Sequence, residues 1–334
     1  MKYGIDIKED ELLTMGGGIL NTLLIDRTTG ENIIWATDDY ASMGEAYTFF
    51  KHITPELITG DKKKVIQPRV AKNEEERKKR ARKMAEVFTP SWVCNDMNNS
   101  VDAKWFKRKI VFNKSSNKSG KHTWEPTEGN ITFPEGKTWQ EYVSMGVIEI
   151  TCGEAPFLAS RYDTVTGEAI EDLNKRIGWL DRKLRIVNEN TTTREDWLYW
   201  AKMAFKGTLG YEWQGDNLLL ARENLLMSFF DYYEDRFGEE PAIDNVKEVA
   251  EIISWNIFQM DGLKFVIPRS CHTKILEQQD IMSGEVKRTE IECEGCKKGL
   301  IHKHNGIYVK MMDWDTEKPI YFHTYNGLAK KEKL

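Results

Sequence analysis

The chain has 334 residues, of which 40% are hydrophobic and 30% are charged, and its formal net charge is −5. This length and balance are typical of a folded globular protein of roughly two domains, and they exclude a disordered chain. The sequence shows no apolar run of membrane-spanning length and no signal-peptide core. We therefore expect a cytoplasmic protein without a membrane partner.

Residues 1–85 are predicted to form an amino-terminal α/β region that ends in a basic helix. Asn73 and Glu76 fit the N-cap and N3 positions of a helix over residues 73–86. Residues 61–122 contain 18 Lys and Arg against 7 Asp and Glu. Such a segment is typical of a surface that binds nucleic-acid phosphates, although a solvated helical face beside a lysine-rich loop would give the same pattern.

Beyond a polar loop predicted at residues 113–122, strand and helix patterns alternate. Apolar strands are predicted at 147–151, 209–213 and 257–261, and long helical patterns separate them. Thr193 is expected to cap the helix that precedes the second strand. Strands that alternate with helices of this length predict an α/β fold with a parallel, doubly wound sheet.

An acidic residue stands at the end of each predicted strand. Glu149 precedes the small-residue turn Cys152-Gly153, whose bare backbone N–H groups we expect to face a ligand, and Glu212 and Asp261 follow in order. In doubly wound sheets ligands bind beyond the carboxyl ends of the strands. A carboxylate at Glu212 can accept hydrogen bonds from ribose hydroxyls, and one at Asp261 can accept from an adenine amino group. A single acidic residue at a strand end more often caps a helix or faces solvent, so the prediction depends on all three.

Two segments carry a family resemblance. Residues 149–158 resemble the acidic-x-x-Cys/Ser-Gly-x-Gly-x-Phe-Leu loop of class I S-adenosylmethionine methyltransferases, and residues 86–93 resemble the Phe-x-Thr-Pro segment of DNA adenine-N6 methyltransferases. Over residues 86–334 the chain is similar to the methylase subunits of restriction–modification systems. The resemblance implies a Rossmann-like class I methyltransferase sheet, S-adenosylmethionine as cofactor and DNA as partner. The cofactor residues that it implies are Phe88, Thr89, Pro90, Glu149, Cys152, Gly153, Glu154, Ala155, Phe157, Glu212, Asp261, Gly262 and Leu263.

The chain departs from this family at two places. Glu154-Ala155-Pro156 replaces the usual Gly-x-Gly, and Pro156 lacks one backbone donor. The catalytic Asn/Asp/Ser-Pro-Pro-aromatic loop is missing, because none of the nine prolines adjoins another or follows Asn, Asp or Ser. We therefore expect an incomplete, cofactor-binding part of such a methyltransferase that needs a second polypeptide for the catalytic loop or specificity domain. The alternative is a catalytically inactive methylase-like protein that binds DNA or a restriction partner.

A possible metal site lies in residues 268–334. Cys271, Cys293 and Cys296 are followed by His302 and His304, and we predict the three cysteines and His302 as ligands. Such a set fits a structural, zinc-ribbon-like tetrahedral site, and reduced surface thiols are the alternative. The predicted division of the chain is thus an amino-terminal region at 1–85, a methyltransferase-like domain at 86–267 and a Cys/His-containing segment at 268–334.

Overall fold

The computed structural model describes residues 4–7, 9–84, 89–279 and 286–325. The helices are α1 (Glu9–Thr14), α2 (Ile19–Leu24), α3 (Pro55–Ile58), α4 (Glu74–Met84), α5 (Ser91–Phe106), α6 (Trp139–Ser144), α7 (Trp179–Asn190), α8 (Arg194–Lys206), α9 (Gly215–Phe237), α10 (Ile243–Asn256) and α11 (Glu294–Lys298). The strands are β1 (Asn113–Lys118), β2 (Lys121–Pro126), β3 (Val147–Glu149), β4 (Thr208–Glu212), β5 (Ile257–Gln259), β6 (Lys274–Gln279), β7 (Val286–Ile291), β8 (Lys310–Asp313) and β9 (Lys318–Tyr321).

The centre of the fold is a three-stranded sheet in the order β3-β4-β5. Both strand pairs are parallel, with Ile148 opposite Leu209 and Tyr211 opposite Phe258. Helices α7 and α8 connect β3 to β4, and α9 and α10 connect β4 to β5. The predicted mixed α/β architecture is therefore confirmed, whereas the full Rossmann-like sheet stays a prediction.

Helices cover one face of this sheet. Helix α9 is buried along most of its length: every residue from Gly215 to Phe230 is shielded from solvent. Helix α8 begins where the sequence predicted, since the Thr193 side chain accepts a hydrogen bond from the Asp196 N–H. Its Trp197 is fully buried and packs against aromatic residues of α9. The main hydrophobic core lies between these helices and the sheet.

The carboxyl-terminal segment covers the other face. Leu209 and Tyr211 of β4 alternate with residues that face the helices, and their side chains join a second apolar cluster. That cluster includes Val309, Met311 and Phe322, which come from the segment that follows β5. The segment that contains the predicted metal ligands is therefore part of the layer that shields the sheet.

An amino-terminal segment, residues 34–36, crosses the carboxyl ends of β4 and β5. The Gly215 N–H donates to the Trp35 carbonyl at 3.0 Å, and the Gln259 side chain donates to the Ile34 carbonyl at 2.8 Å. A Cβ atom at Gly215 would lie 2.1 Å from the Ile34 carbonyl oxygen, so only glycine allows this approach. The amino-terminal region thus forms a wall beside the edge where ligands of α/β sheets bind.

The prediction of a polar loop at residues 113–122 was wrong. Strands β1 and β2 form an antiparallel hairpin in which Lys118 pairs with Lys121. Ser119 and Gly120 both have positive φ angles, 53° and 81°, as a two-residue type I′ turn requires. Short polar strands lack the apolar alternation by which strands are recognised.

In the described part of the chain, none of the helices combines the length and the apolarity needed to cross a membrane.

Candidate functional site

The three predicted acidic residues lie at the carboxyl ends of neighbouring strands in one parallel sheet. Glu149 closes β3 opposite Gly210, and Glu212 closes β4 opposite Gln259 of β5. Asp261 follows β5 by two residues. Because the carboxyl ends of parallel strands meet at one edge, the fold brings the three residues to the same side of the molecule.

Glu212 occupies the middle of this edge and is held by two backbone groups. Its Oε2 accepts a hydrogen bond from the Gly153 N–H at 2.9 Å, and its Oε1 accepts one from the Gln214 N–H at 3.1 Å. Burial raises the pKa of Glu212, and these N–H groups oppose the rise. The Gly153 N–H therefore points at Glu212, whereas the sequence predicted a turn with bare N–H groups that face a ligand.

Glu149 carries a carboxyl group whose neutral form is favoured. Burial raises its pKa well above the ordinary value, the N–H groups of Phe157 and Leu158 lower it in part, and the charge of Glu212 raises it further. The two carboxyl groups are thus close enough to interact electrostatically. The pKa of both carboxyl groups is raised, and protonation of either one would add a hydrogen-bond donor to this edge, since an ionised carboxylate only accepts.

Asp261 begins an exposed turn beside β4. Its Oδ1 accepts hydrogen bonds from the N–H groups of Leu263 and Lys264 at 3.0 and 3.2 Å. The Leu263 side chain is 87% exposed, which leaves an apolar surface next to this carboxylate. A Cβ atom at Gly262 would lie 2.6 Å from a ring carbon of Tyr211, so the turn requires glycine for its contact with β4.

The turn after β3 is strained and is fixed from both sides. Thr151 and Ala155 have φ angles of 48° and 61°, a left-handed conformation that is uncommon for residues other than glycine. Glu154 is fully buried and accepts hydrogen bonds from the Arg69 N–H and the Tyr162 hydroxyl, both at 2.6 Å. Backbone strain of this kind is concentrated at ligand-binding sites, which makes the turn a candidate for one.

The predicted Phe-Thr-Pro segment lies near this turn, although Phe88 is outside the described residues. The Thr89 carbonyl accepts hydrogen bonds from the Thr164 hydroxyl at 3.3 Å and the Cys94 thiol at 3.7 Å, and Pro90 is the N-cap residue of α5. Burial and the charge of Glu149 raise the pKa of Cys94. The segment therefore approaches the strand edge through Cys94.

Four side chains of the carboxyl-terminal layer converge on one point. The Nδ1 atom of His304 lies 3.5 Å from the Cys271 Sγ and 3.6 Å from the Sγ atoms of both Cys293 and Cys296. All four ligand atoms lie within 4.8 Å of one another. Bonds of about 2.3 Å to sulfur and 2.1 Å to nitrogen in a tetrahedron place these atoms roughly 3.6 Å apart. The Cys₃His group could therefore hold a metal ion such as zinc.

The structure places His304, and not the predicted His302, beside the three cysteines. His302 lies in the short 3₁₀ turn Ile301–Lys303, and its ring contacts that of His323 at a centroid distance of 5.3 Å. His304 approaches the cysteines because Gly295 makes room: a Cβ atom there would lie 2.6 Å from the His304 backbone nitrogen. The glycine directly before Cys296 was the sequence signal for this close approach.

The Cys₃His group is also supported by backbone hydrogen bonds. Cys293 stands at the N-cap of α11, and its Sγ accepts a hydrogen bond from the Asn305 N–H at 3.3 Å. The His304 N–H donates to the Tyr308 hydroxyl at 2.9 Å, which in turn donates to the Ile301 carbonyl at 2.6 Å. Such contacts around the ligands orient them and favour the thiolate form that a metal binds.

The five cysteines are expected to differ in reactivity with iodoacetamide. Cys94 and Cys152 are buried, and burial raises the pKa of each thiol, so both react slowly because only the thiolate is nucleophilic. Cys271, Cys293 and Cys296 are expected to react only after a chelator is added. Peptide mass spectrometry after timed alkylation measures this order; rapid labelling of Cys94 or Cys152 in the folded protein would contradict it.

Comparison of the chain with protein-family models, with curated proteins and with solved structures gives no match. Its function must therefore be argued from its own residues. Two groups stand out among the residues that the structure describes. They are the strand-end carboxyl groups beside a strained turn and the Cys₃His group.

Proposed function

We propose that the chain binds S-adenosylmethionine at the carboxyl edge of β3, β4 and β5 and is the cofactor-binding part of a DNA adenine-N6 methyltransferase of a restriction–modification system. The observation that supports this is the order of Glu149, Glu212 and Asp261 at the ends of neighbouring parallel strands. The sequence resemblance implies the same order for the residues that bind the cofactor.

The strand-edge residues have suitable chemistry for a nucleoside. Each carboxylate oxygen has a second lone pair, so Glu212 can still accept from ribose hydroxyls while it accepts from Gly153 and Gln214. Asp261 would accept from the adenine amino group, and the exposed Leu263 would contact the ring. The bound cofactor would supply an electrophilic methyl group for adenine N6. The acidic edge suits its sulfonium charge.

The catalytic loop would come from a second polypeptide, and the open edge of β3 is the place where we propose that it docks. Within the described residues β3 pairs with β4 alone. Ile148 is 40% exposed and Ile150 is 65% exposed, although strands of parallel sheets are normally covered. An unpaired strand with apolar side chains is a template for another strand, and a strand added here would bring its carboxyl end beside Glu149.

We also propose that the Cys₃His group binds zinc in a structural role. Four protein ligands complete a tetrahedron and leave no position for water or substrate, as in structural zinc sites.

DNA would contact the basic segment 61–122. Its helix α4 carries Arg77, which is half-buried, and Lys78 and Arg82, which are exposed. If DNA binds through its phosphates, the affinity of the protein for DNA should fall steeply as the salt concentration rises.

One observation favours the alternative of a catalytically inactive, methylase-like binding protein. The polar groups of the turn after β3 are already satisfied inside the protein: Gly153 donates to Glu212, and Glu154 accepts from Arg69 and Tyr162. Pro156 has no N–H to offer. A turn of this kind has fewer free donors for a cofactor, and the chain would then engage DNA or a restriction partner without S-adenosylmethionine.

Calorimetric titration with S-adenosylmethionine distinguishes these proposals. We expect micromolar binding, and we expect Asp261→Asn to weaken it by about tenfold, because hydrogen bonds to charged groups contribute about 1.5–3 kcal/mol. Asp244→Asn is the matched control, since this exposed carboxylate on α10 pairs only with Lys247 among its described contacts. Absence of binding at about 1 mM cofactor would reject the first proposal and favour the inactive alternative.

A further inference from the structure

A cleft lies between β2 and the loop at residues 163–175. Its volume is about 490 Å³. Trp92 of α5 and His122 of β2 form one wall, with ring centroids 3.7 Å apart and an interplanar angle of 14°. Trp124 lies two residues further along β2 on the same side, and its indole N–H donates to the Lys175 carbonyl at 2.7 Å. The aromatic wall is therefore fixed in place.

The cleft is also lined by acidic residues. Five carboxyl groups line the cleft against two lysines, Lys121 and Lys175. Lys175 pairs with Glu125 at 3.3 Å, so its charge is already compensated. The five acidic residues are Glu125, Asp163, Glu168, Glu171 and Asp172.

Asp163 is ionised at neutral pH although it is partly buried. Burial alone would raise its pKa, but the N–H groups of Ser91, Thr166 and Val165 outweigh this and lower it. Glu168 and Glu171 are exposed at the rim. A permanent excess of negative charge in a cleft attracts cations and repels the phosphates of nucleic acid.

We propose that this cleft binds an arginine side chain of a partner protein. The planar guanidinium group stacks on the face of Trp92 or Trp124 while its N–H groups donate to the rim carboxylates of Glu168 and Glu171, a combination that a lysine ammonium group satisfies less well. The volume is in the range of ligand pockets and accommodates a side chain with its flanking backbone. The partner is therefore recognised through an exposed arginine-containing segment.

The cleft shares no residue with the strand-edge carboxyl groups, so arginine binding and cofactor binding use different side chains. Trp92, Lys121 and His122 of the basic segment line the cleft, but it shares no residue with helix α4 or with β3. Opposite charge gives α4 and the cleft different partners: phosphates for the basic helix, and a cationic protein segment for the acidic cleft.

Fluorine NMR of the full chain labelled with 5-fluorotryptophan tests the proposal. The probe is a blocked pentapeptide with one central arginine between glycine and serine residues, and the matched probe contains citrulline, which has the same shape without the charge. We expect the arginine peptide to shift the Trp92 and Trp124 resonances to saturation and the citrulline peptide to leave them unchanged. Trp92→Phe and Trp124→Phe assign the two signals.

Paired glutamine variants separate the cleft from diffuse attraction to an acidic protein. Glu168→Gln with Glu171→Gln is expected to raise the dissociation constant of the arginine peptide by about tenfold. Glu128→Gln with Glu135→Gln removes the same charge from exposed positions outside the cleft and is expected to change it by less than about twofold. Equal losses in the two double variants, an equal response to citrulline, or equally tight binding of free arginine amide would each overturn the proposal.

Discussion

His304→Ala is expected to abolish metal binding and to unfold the carboxyl-terminal layer, whereas His302→Ala leaves both intact. The reason is geometric, because His304, and not His302, faces the three cysteines at the S–N distances of a tetrahedral centre. Structural zinc contributes about 10–16 kcal/mol of apparent binding free energy in zinc-finger peptides, so the loss of one ligand has a large effect. Plasma mass spectrometry of zinc and limited proteolysis of the layer measure the outcome.

The consequences of metal loss are expected to reach the sheet edge. Backbone hydrogen bonds join the chain after His304 to the turn after β5: the Ile267 N–H donates to the Ile307 carbonyl at 2.8 Å, and the Val309 N–H donates to the Phe265 carbonyl at 3.0 Å. The Asp261 N–H continues this ladder by donating to Val266 at 2.8 Å. Removing the metal should therefore loosen the Asp261 turn.

The two histidine variants provide the control for this coupling. Both variants leave a methyl group in place of a whole histidine side chain, and both positions lie within three residues of Ile301. A general effect of the substitution would therefore appear in each. Retention of one equivalent of zinc by the His304→Ala protein, or equal protease resistance of the two variants, would show that the Cys₃His geometry does not bind metal as described.

The sequence predicted the architecture where local patterns decide it. The apolar strands before Glu149, Glu212 and Asp261 could be recognised because their apolar residues alternate or form short runs with the periodicity of a strand. The start of α8 could be recognised because Thr193 capping depends only on neighbouring residues. The sheet order and the domain boundaries depend on packing between distant segments, and the boundaries at 85/86 and 267/268 remain predictions.

The details of the sites could not be predicted for the same reason. Whether His302 or His304 meets the cysteines depends on a glycine contact across a turn. The direction of the Gly153 N–H depends on Glu212, 59 positions further along the chain. Sequence spacing therefore identified the residue types at both sites, and tertiary contacts decided which atoms face each other.

Asp216→Asn is expected to lower the free energy of unfolding by about 3–5 kcal/mol, the cost of removing one charge from a buried ion-pair group. Asp216 is fully buried at the start of α9. Its Oδ2 lies 2.9 Å from Arg80, 3.5 Å from Lys72 and 2.7 Å from the Tyr40 hydroxyl, which donates to it. These three partners come from the amino-terminal region, so the carboxylate joins that region to helix α9. Urea denaturation followed by circular dichroism measures the loss.

Asp244→Asn is the matched control, since it removes an exposed carboxylate that pairs with Lys247 and is expected to cost less than about 1 kcal/mol.

The effect of Asp216→Asn should also depend on pH. Burial alone would raise the pKa of Asp216, but the charges of Arg80 and Lys72 and the hydroxyl of Tyr40 hold it well below its ordinary value. A carboxylate with a lowered folded pKa stabilises the fold above its unfolded pKa of about 3.9, and that contribution disappears as the pH falls towards the folded value. The difference between wild type and Asp216→Asn should therefore be constant from pH 7 to about pH 5 and should shrink below pH 4. A difference that stays the same down to pH 3 would mean that the ionised carboxylate is not what joins Arg80 and Lys72 to α9.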